Sequence, residues 1–555
     1  MTETTPSPLG NVITIDDERI KNHLDRVVRH FYRNIACCTA PRRVLWWSFQ
    51  HGHQAARGIG GAAQGRVCVV DRANTHAATK ISDAHAKRRR LPFGTHEIER
   101  SPVRVMRVLA ICSLGLLALI GVFIALLAVT LSFTDDSRIV ANLREAIAVG
   151  ALTPDNYPLS PFGHGGLMND QFTDCLAFGT DLANKDKSLI YRIAAAPHIG
   201  SDQLQSDYNP CADLINSIMT GTAKATDPAS RFWHGYLVYL RPMLSMMSLP
   251  KLRRANAILL YAALLLLAYR FFLLFGPWAF PVVLLPFAAS ADLLTMPLVT
   301  AHTVGFIWIF LSVAIIAISL DRWSEKIEII VALSALSGAI YNFVSYVTNA
   351  SLAPALIGFL VMTKSLSSTK DHGRVRRAIV NAGLVVTSWF AGFAIVWIAK
   401  WLFAASVLGT ESVMSEVVIN ATGSEYRSAT MAHQAHILTP TLFVLSKGFS
   451  YLEACIATSL AVAAAILAWC AATRRLTVTD ITDFLMLQLP LLIPVIWVEI
   501  MRYRSIEHPG QVFRDFLVFE IFPILAALMV ARRAVVQRVK ISSEKTIAAR
   551  AGSTA

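Results

Sequence analysis

Two carboxylates stand four residues apart in the segment MNDQFTDC, at Asp170 and Asp174. On a helix, side chains with this spacing lie on the same face. Two carboxylates together can bind a divalent cation, and either can act as a general base. The alternative is a structural role, as a solvated helix face or a helix N-cap. Both residues are therefore candidate catalytic residues. The sequence specifies no metal ligands, and a divalent cation at this pair is the one candidate cofactor.

The segment RFWHGYLVYLRP is dense in aromatic and basic side chains. Trp233, Tyr236 and Tyr239 recur every third residue and would fall on one side of a helix. Such a segment is typical of an amphipathic helix in the membrane interface, where Trp and Tyr concentrate. We favour this interpretation, and it is compatible with a site for a sugar or a lipid headgroup. At such a site His234 lies among the rings, and Arg241 faces a phosphate.

The late segment WVEIMRYRSIEHPGQVFRDF carries ionisable residues between two apolar segments. Arg502, Arg504, His508 and Arg514 all lie within it. Ionisable groups at the ends of membrane helices are costly and usually serve a pathway, a partner or an anionic ligand. Arginine matches phosphate oxygens with two parallel hydrogen bonds, so a diphosphate is the natural ligand. The alternative is that these side chains reach anionic lipid headgroups.

Asp292 and His302 lie within or beside apolar segments, in SADLLTMPLVTAHTVG. A carboxylate at that depth needs a partner. It can belong to a proton relay or cation site, or to a contact between helices, and we favour the helix contact. The sequence contains no Gly-rich phosphate loop, HExxH or GxSxG motif, which disfavours a nucleotide-driven pump.

The composition predicts that these residues belong to a membrane protein. Of the 555 residues, 54% are hydrophobic and 16% are charged, and the mean hydropathy is +0.49. Soluble domains carry about 25% charged residues. The predicted fold is an all-α polytopic transmembrane bundle of about ten spans. Apolar segments of spanning character lie at 108–133, 255–275, 278–297, 301–320, 327–346, 351–363, 378–403, 449–473, 483–500 and 515–532.

The distribution of basic residues predicts the orientation. Residues 1–107 hold 18 Lys and Arg against nine Asp and Glu, which is typical of a cytoplasmic flank. We interpret this surplus as topology and not as a nucleic-acid surface. Both termini are then cytoplasmic, and residues 134–253 lie outside. A few basic residues depart from this bias on the predicted outer side, and each calls for a local reason: Lys251, Arg253, Arg254, Arg502, Arg504 and Arg514.

These segments divide the chain into five parts. They are a largely disordered basic cytoplasmic region (1–105), a first spanning helix (108–133), an outer loop domain of roughly 120 residues with interfacial helices (134–253), a multi-span bundle (254–532) and a basic cytoplasmic tail (533–555). Cys175 and Cys211 are the only cysteines of the loop. A disulfide between them is one of two open alternatives if the loop lies outside the cytoplasm.

The start of the chain, MTETTPSPLGNVITIDDERIKNHLDRVVR followed by HFYRNI, resembles fragments of mutator-type transposases. The resemblance covers about residues 1–35. None of the acidic residues that carry transposase chemistry can be placed. The fragment indicates a remnant of a mobile element or a misassigned start, and it implies no transposase activity.

The layout of residues 100–540 resembles the polytopic glycosyltransferases that use lipid-linked sugars, the GT-C superfamily. The resemblance implies that Asp170 or Asp174 deprotonates an acceptor hydroxyl, alone or with a divalent metal. The phosphate of a polyprenyl-linked sugar donor would be held by three basic residues of the late segment, Arg504, His508 and Arg514. The site for the sugar or acceptor would be lined by three residues of the aromatic segment, Trp233, His234 and Tyr236.

The segments NDQFTDC, RFWHGYLVYLRP and W…RSIEHPGQVFR also resemble those of a group of bacterial membrane proteins, in which the late segment commonly contains Asn-His-Ser and Ile-His. Here Tyr503-Arg504 replaces Asn-His, and the match is partial. The implied location is the bacterial cytoplasmic membrane, with the reaction at its outer face. The alternatives are a transporter or flippase of an amphipathic solute and a non-catalytic membrane protein of envelope assembly. An enzyme requires acidic residues beside the basic ones at the membrane face, whereas a transporter requires charges along a path through the spans.

Overall fold

A computed structural model shows a protein built of α-helices, with no β-strand in the residues that it describes. Those residues are 102–158, 170–180, 182, 187–199, 209–222, 229–290, 292–323, 326–346, 348–368, 373–422, 439–447, 451–473 and 476–533. Nearly all of the predicted disordered N-terminal region and basic tail lies outside them. The helical class that the hydropathy predicts is confirmed.

The first long helix and the helices of the polar loop open the described chain. They are α1 (Pro102–Phe133), α2 (Asp136–Ala148), α3 (Gln171–Gly179), α4 (Leu189–Ala195), α5 (Pro210–Thr220) and α6 (Leu237–Met246). Each of the helices α2 to α5 is preceded by an N-cap residue, whose side chain accepts a hydrogen bond from a backbone N–H of the first turn. Such caps stabilise the start of a helix. The capping residues are Asp135, Asp170, Ser188 and Asn209.

The remaining elements form the bundle. They are α7 (Leu249–Phe275), α8 (Ala279–Ala289), α9 (Asp292–Thr295), α10 (Thr300–Trp323), α11 (Ile327–Val344), α12 (Leu352–Ser368), α13 (Arg374–Leu408), α14 (Thr410–Thr422), α15 (Pro440–Lys447), α16 (Leu452–Ala472), α17 (Val478–Met486), α18 (Leu492–Ile500), α19 (Arg502–Glu507), α20 (Pro509–Val512) and a last helix, α21, over 518–533.

Seven helical segments of the described chain are long and apolar enough to cross a membrane, judged by length and composition. They are α1, α7, α10, α11, α13, α16 and the continuous unit of α17 and α18. The pair α8–α9, bent by 70°, would be an eighth. A helix lies at each of the ten predicted positions, but α12 is shorter than the others and only 518–533 of the last is described. The membrane class is therefore supported, and the count of ten stays a prediction.

The loop helices pack on the bundle through a common apolar core. Phe123 of α1 stacks on Phe343 of α11 with ring centroids 3.9 Å apart. Leu143 of α2, Phe178 of α3 and Val396 of α13 are buried in the same cluster. A disulfide between α3 and α5 adds a covalent link, which confirms the Cys175–Cys211 pairing. The polar loop is thus a packed layer against the spanning helices.

Ion pairs join the helix ends opposite this layer. One carboxylate at the end of α10 contacts basic residues from the ends of α7 and α12. A second one, on α17, contacts basic residues from the start of α13 and the end of α21. The pairs are Arg270–Asp321, Lys364–Asp321, Arg374–Asp483 and Arg533–Asp483. The helix ends predicted to be cytoplasmic therefore gather at one end of the bundle.

Helices α11 and α13 cross with backbones in direct contact. A Cβ atom on Gly392 would lie 2.0 Å from the carbonyl oxygen of Ala335, and one on Gly338 would lie 2.0 Å from that of Trp389. Only glycine permits such an approach, as in other membrane helix pairs that pack through small residues. This crossing fixes the position of α13, whose far end reaches the loop layer.

Candidate functional site

A cavity of about 600 Å³ lies between the loop layer and the adjoining ends of α10, α11, α13 and α18. Trp397 and Trp401 of α13 and Trp497 of α18 line its apolar side. The polar part of its wall includes four imidazoles, of His198, His234, His302 and His508. Apolar walls with a few convergent polar groups are the usual form of a ligand site.

Asp170 is not among the residues that line this cavity, but it contacts lining residues from three chain segments. Its carboxylate accepts hydrogen bonds from the backbone N–H (3.1 Å) and the hydroxyl (2.7 Å) of Thr173, which makes it the N-cap of α3. Gln511 of α20 donates to the same carboxylate, and His302 Nε2 of α10 lies 3.3 Å from it. The other three residues all line the cavity. Asp170 thus joins the loop to the late segment through Gln511.

The pKa of Asp170 reflects these contacts. Burial raises the pKa of a carboxyl group, but the neighbouring His302 imidazole and the hydrogen bonds from Thr173 outweigh it, so the pKa lies below its ordinary value. Asp170 is therefore ionised at neutral pH. On its other side, His302 places Nδ1 3.4 Å from the hydroxyl of Thr348. A carboxylate beside an oriented imidazole is an arrangement suited to proton transfer.

Asp174 occupies a different environment. Its side chain is fully buried, and it does not line the cavity. The carboxylate accepts a hydrogen bond of 2.7 Å from the backbone N–H of Thr300 and pairs with Arg253 at 3.3 Å. The expectation of a solvated helix face is therefore wrong for Asp174. Within the described part of the chain, no group of three or more His, Cys, Asp or Glu side chains could hold a metal ion.

Replacing Asp174 by Asn is expected to flatten the pH dependence of stability. Burial raises the pKa of Asp174 to about 7 despite the Arg253 charge, whereas the unfolded chain has the ordinary value of about 3.9. The folded state binds more protons between these values, so wild-type stability falls as the pH rises through this window. Thermal unfolding in detergent from pH 4 to 8 measures the effect. An equally steep decline in Asp174→Asn would contradict it.

The aromatic segment is not the interfacial helix that its spacing predicts. Helix α6 begins only at Leu237, so Trp233 and Tyr236 lie in the preceding turn. The Trp233 ring is buried against Phe343, and its Nε1 donates to the carbonyl of Val396 at 2.8 Å. It does not line the cavity. The prediction that the aromatic residues share one side of an interfacial helix is therefore wrong, because Trp233 and Tyr236 fill the core between loop and bundle.

His234 does line the cavity, and an unusual backbone places it there. Its φ angle is 55°, in the left-handed region that residues with a Cβ seldom adopt. The next residue, Gly235, donates its N–H to the carbonyl of Phe343 at 2.8 Å, and a Cβ there would lie 2.4 Å from that oxygen. Burial lowers the pKa of His234 to about 3, so the imidazole is neutral at pH 7.

Arg241 lies away from the cavity. Its guanidinium is buried and pairs with Asp136, and it also donates to the hydroxyl of Thr134 and the carbonyl of Thr180. These contacts tie α6 to α2 and to the end of α3. The predicted phosphate contact is therefore replaced by a structural one.

Two of the basic residues that depart from the charge bias on the predicted outer side form ion pairs with buried carboxylates, and these pairs account for their position. Arg253 pairs with Asp174, and Arg514 pairs with Asp292 at 2.8 Å. Ser290 also donates to Asp292, which confirms the predicted helix contact. Arg514 does not line the cavity, so its predicted phosphate role finds no support in the geometry.

The late segment still contributes basic groups to the cavity. His508 and Arg502 line it, while the side chain of Arg504 lies outside the described part of the structure. The sequence prediction missed Arg231, which also lines the cavity and pairs with Glu416 of α14 at 3.2 Å. It also missed Tyr346. Arg231 is the first residue of the aromatic segment RFWHGYLVYLRP, so its position beside Trp233 and His234 could have identified it as a candidate site residue.

A buried lysine joins the bundle to the loop layer. Lys400 of α13 is fully buried, and its Nζ donates to the carbonyls of Ile193 and Ala194 at 2.8 Å each. Those carbonyls close the end of α4, where a cation is favourable to the helix dipole. The indole of Trp397 donates to the carbonyl of Arg231 at 3.0 Å. One side of the cavity is thereby attached to a membrane-length helix.

Comparisons with protein-family models, with curated proteins and with solved structures found no match for this chain.

Proposed function

We propose that this protein is a membrane glycosyltransferase. It would move a sugar from a polyprenyl-phosphate-linked donor to an envelope glycan or lipid at the outer face of a bacterial cytoplasmic membrane. The observation that supports this proposal is the position of Asp170. Its carboxylate lies 3.3 Å from Nε2 of His302, which lines an aromatic cavity together with Arg231, Arg502 and His508.

The proposed reaction uses these groups in one displacement. An acceptor hydroxyl loses its proton to the Asp170 carboxylate as its oxygen bonds to the anomeric carbon of the donor sugar. The bond from that carbon to the phosphate oxygen breaks, and the phosphate leaves with the electron pair. Basic groups stabilise the charge that develops on the phosphate. Thr173 and Gln511 donate hydrogen bonds to the Asp170 carboxylate and hold it in place, as a positioned general base requires.

A surface that suits a polyprenyl chain lies at the edge of the cavity. Trp401 of α13 and Ile500 of α18 line the cavity, and the side chain of Ile500 is 69% exposed. In the proposed ten-span topology, this region lies at the outer membrane interface and both termini are cytoplasmic. Two features support the topology: the loop layer at one end of the bundle and the basic ion-pair clusters at the other.

The transporter alternative requires charges along a path between the two ends. Asp292 is neutralised by Arg514, and His302 lies beside Asp170. These pairs lie at the loop end of the bundle, close to the late segment. Their position supports an enzyme site better than a translocation path.

A reconstituted transfer assay tests the proposal. The full chain, in liposomes of bacterial lipid, is given radiolabelled polyprenyl-phosphate hexoses and a delipidated envelope extract as acceptor. We expect label to pass from the lipid-soluble donor to acceptor material, and we expect heat-denatured protein to transfer none. Movement of intact labelled donor between leaflets without transfer would favour the flippase instead, and neither transfer nor movement with any hexose would contradict the proposal.

A further inference from the structure

A hydrogen-bond chain begins at the carbonyl oxygen of Ala229 and ends at the cavity wall. His234 Nε2 lies 3.0 Å from that oxygen, and His234 Nδ1 lies 2.9 Å from the hydroxyl of Tyr236. The Tyr236 hydroxyl contacts the hydroxyl of Tyr346. Tyr346 lines the cavity, whereas Tyr236 is buried behind it.

The carbonyl oxygen of Ala229 determines which group donates and which accepts in every hydrogen bond of this chain. A carbonyl oxygen can only accept, so His234 Nε2 must carry the proton that it shares with Ala229. A neutral imidazole has one N–H, so Nδ1 is an acceptor and the Tyr236 hydroxyl donates to it. The depressed pKa of His234 is consistent with a neutral ring. With its own proton committed, Tyr236 can only accept from Tyr346.

The geometry points to Tyr346 as a hydrogen-bond acceptor that the cavity presents to a donor group of its ligand. The Tyr346 proton is directed away from the cavity toward Tyr236, so its free lone pair remains for the ligand. The His302 ring lies beside it, with centroids 6.0 Å apart. A ligand hydroxyl bound to Tyr346 therefore lies close to the Asp170–His302 pair.

This inference rests on the cavity of the proposed function and adds a specificity to it. Because Tyr346 accepts a hydrogen bond, the cavity binds a ligand that places a hydroxyl group against Tyr346 more tightly than one that places an acceptor at the same position. Hydroxyl groups on sugars are such donors. A site that hydrogen-bonds a particular hydroxyl discriminates against the analogue that lacks it, because the protein acceptor is then left unpaired.

Binding of n-decyl hexosides and their monodeoxyfluoro analogues tests the inference. Fluorine has nearly the size of a hydroxyl group but cannot donate. We expect one fluoro position to weaken binding to the wild-type protein about tenfold, as expected for one unpaired buried acceptor. The readout is quenching of tryptophan fluorescence, since Trp397, Trp401 and Trp497 line the cavity.

The decisive variant is Tyr236→Phe, which removes the acceptor for the Tyr346 proton without touching the ligand. That proton can then turn to the cavity, so the tenfold discrimination should fall below about threefold. Tyr239→Phe is the matched control. Its hydroxyl donates to Asn256 at 2.8 Å, away from the cavity, and discrimination should persist. Tyr346→Phe should lose discrimination by weakening hydroxyl binding alone.

Nitrogen NMR of the full chain with labelled histidine gives an independent measurement, with the His234 signal assigned by its loss in His234→Gln. We expect a neutral ring protonated at Nε2 at pH 7. A ring protonated at Nδ1 or at both nitrogens overturns the inference. Equal binding of hydroxyl and fluoro ligands, binding of neither, or unchanged discrimination in folded Tyr236→Phe overturns it as well. A protein with this selectivity but no transfer keeps the inference and loses the proposed function.

Discussion

Replacing Asp170 by Asn is expected to lower the rate of sugar transfer by about 10²–10⁴-fold, the usual contribution of a positioned general base. The amide cannot accept the proton of the acceptor hydroxyl at neutral pH. Asparagine is as good an N-cap as aspartate, so α3 should still begin at this position. The measurement is the initial transfer rate in proteoliposomes, together with the melting temperature.

The Asp174→Asn variant is the matched control for this experiment. It makes the same chemical change on the same helix, but at a buried side chain whose partners, Thr300 and Arg253, do not line the cavity, whereas the partners of Asp170 do. We expect it to retain transfer within about tenfold of the wild type. Full activity in Asp170→Asn, or equal losses in both variants, would remove Asp170 from the role of base.

Replacing Gly392 by Ala is expected to destabilise the bundle by about 3 kcal/mol or more, at the upper end of overpacking effects. The new methyl group would lie 2.0 Å from the carbonyl oxygen and 2.8 Å from the carbonyl carbon of Ala335. Both are backbone atoms, which cannot move away as a side chain does. Helices α11 and α13 must therefore separate. Thermal unfolding in detergent and the yield of folded protein measure the loss.

Gly383→Ala provides the control on the same helix. No atom lies within 4 Å of a Cβ at that position, so the variant should be neutral or more stable by up to about 1 kcal/mol. A smaller loss in Gly392→Ala than in Gly383→Ala would mean that α11 and α13 do not cross in this way. Gly338→Ala, on the facing helix, should behave like Gly392→Ala.

Hydropathy predicts the helices because the bilayer imposes their length and composition. The predicted segment 327–346 agrees with α11 within two residues. The predicted segment 255–275 omits the first six residues of α7, because Lys251 and Arg253 are charged there. Arg253 is tolerated at that place because Asp174 pairs with it. The partners are far apart in sequence, so no local pattern shows the pairing.

The site was predicted less completely than the fold. Asp170 and His508 stand in conspicuous polar segments. In the structure His508 lines the cavity, and Asp170 contacts His302, which also lines it. Trp233 was misplaced because its spacing matches a helix, while the backbone contact of Gly235 holds the segment in a turn. Tyr346 and Trp401 are hidden in apolar sequence. Their position depends on how α11 and α13 cross, which single-sequence periodicity does not encode.

The attachment of Lys400 to α4 has a consequence for how a substrate arrives. The layer over the cavity is held by the bonds from Lys400 to Ile193 and Ala194, and by the bond from Trp397 to Arg231. These hydrogen bonds oppose opening of the layer toward water. We therefore expect a lipid-borne substrate to enter sideways from the membrane, past the exposed side chain of Ile500, and to leave by the same route.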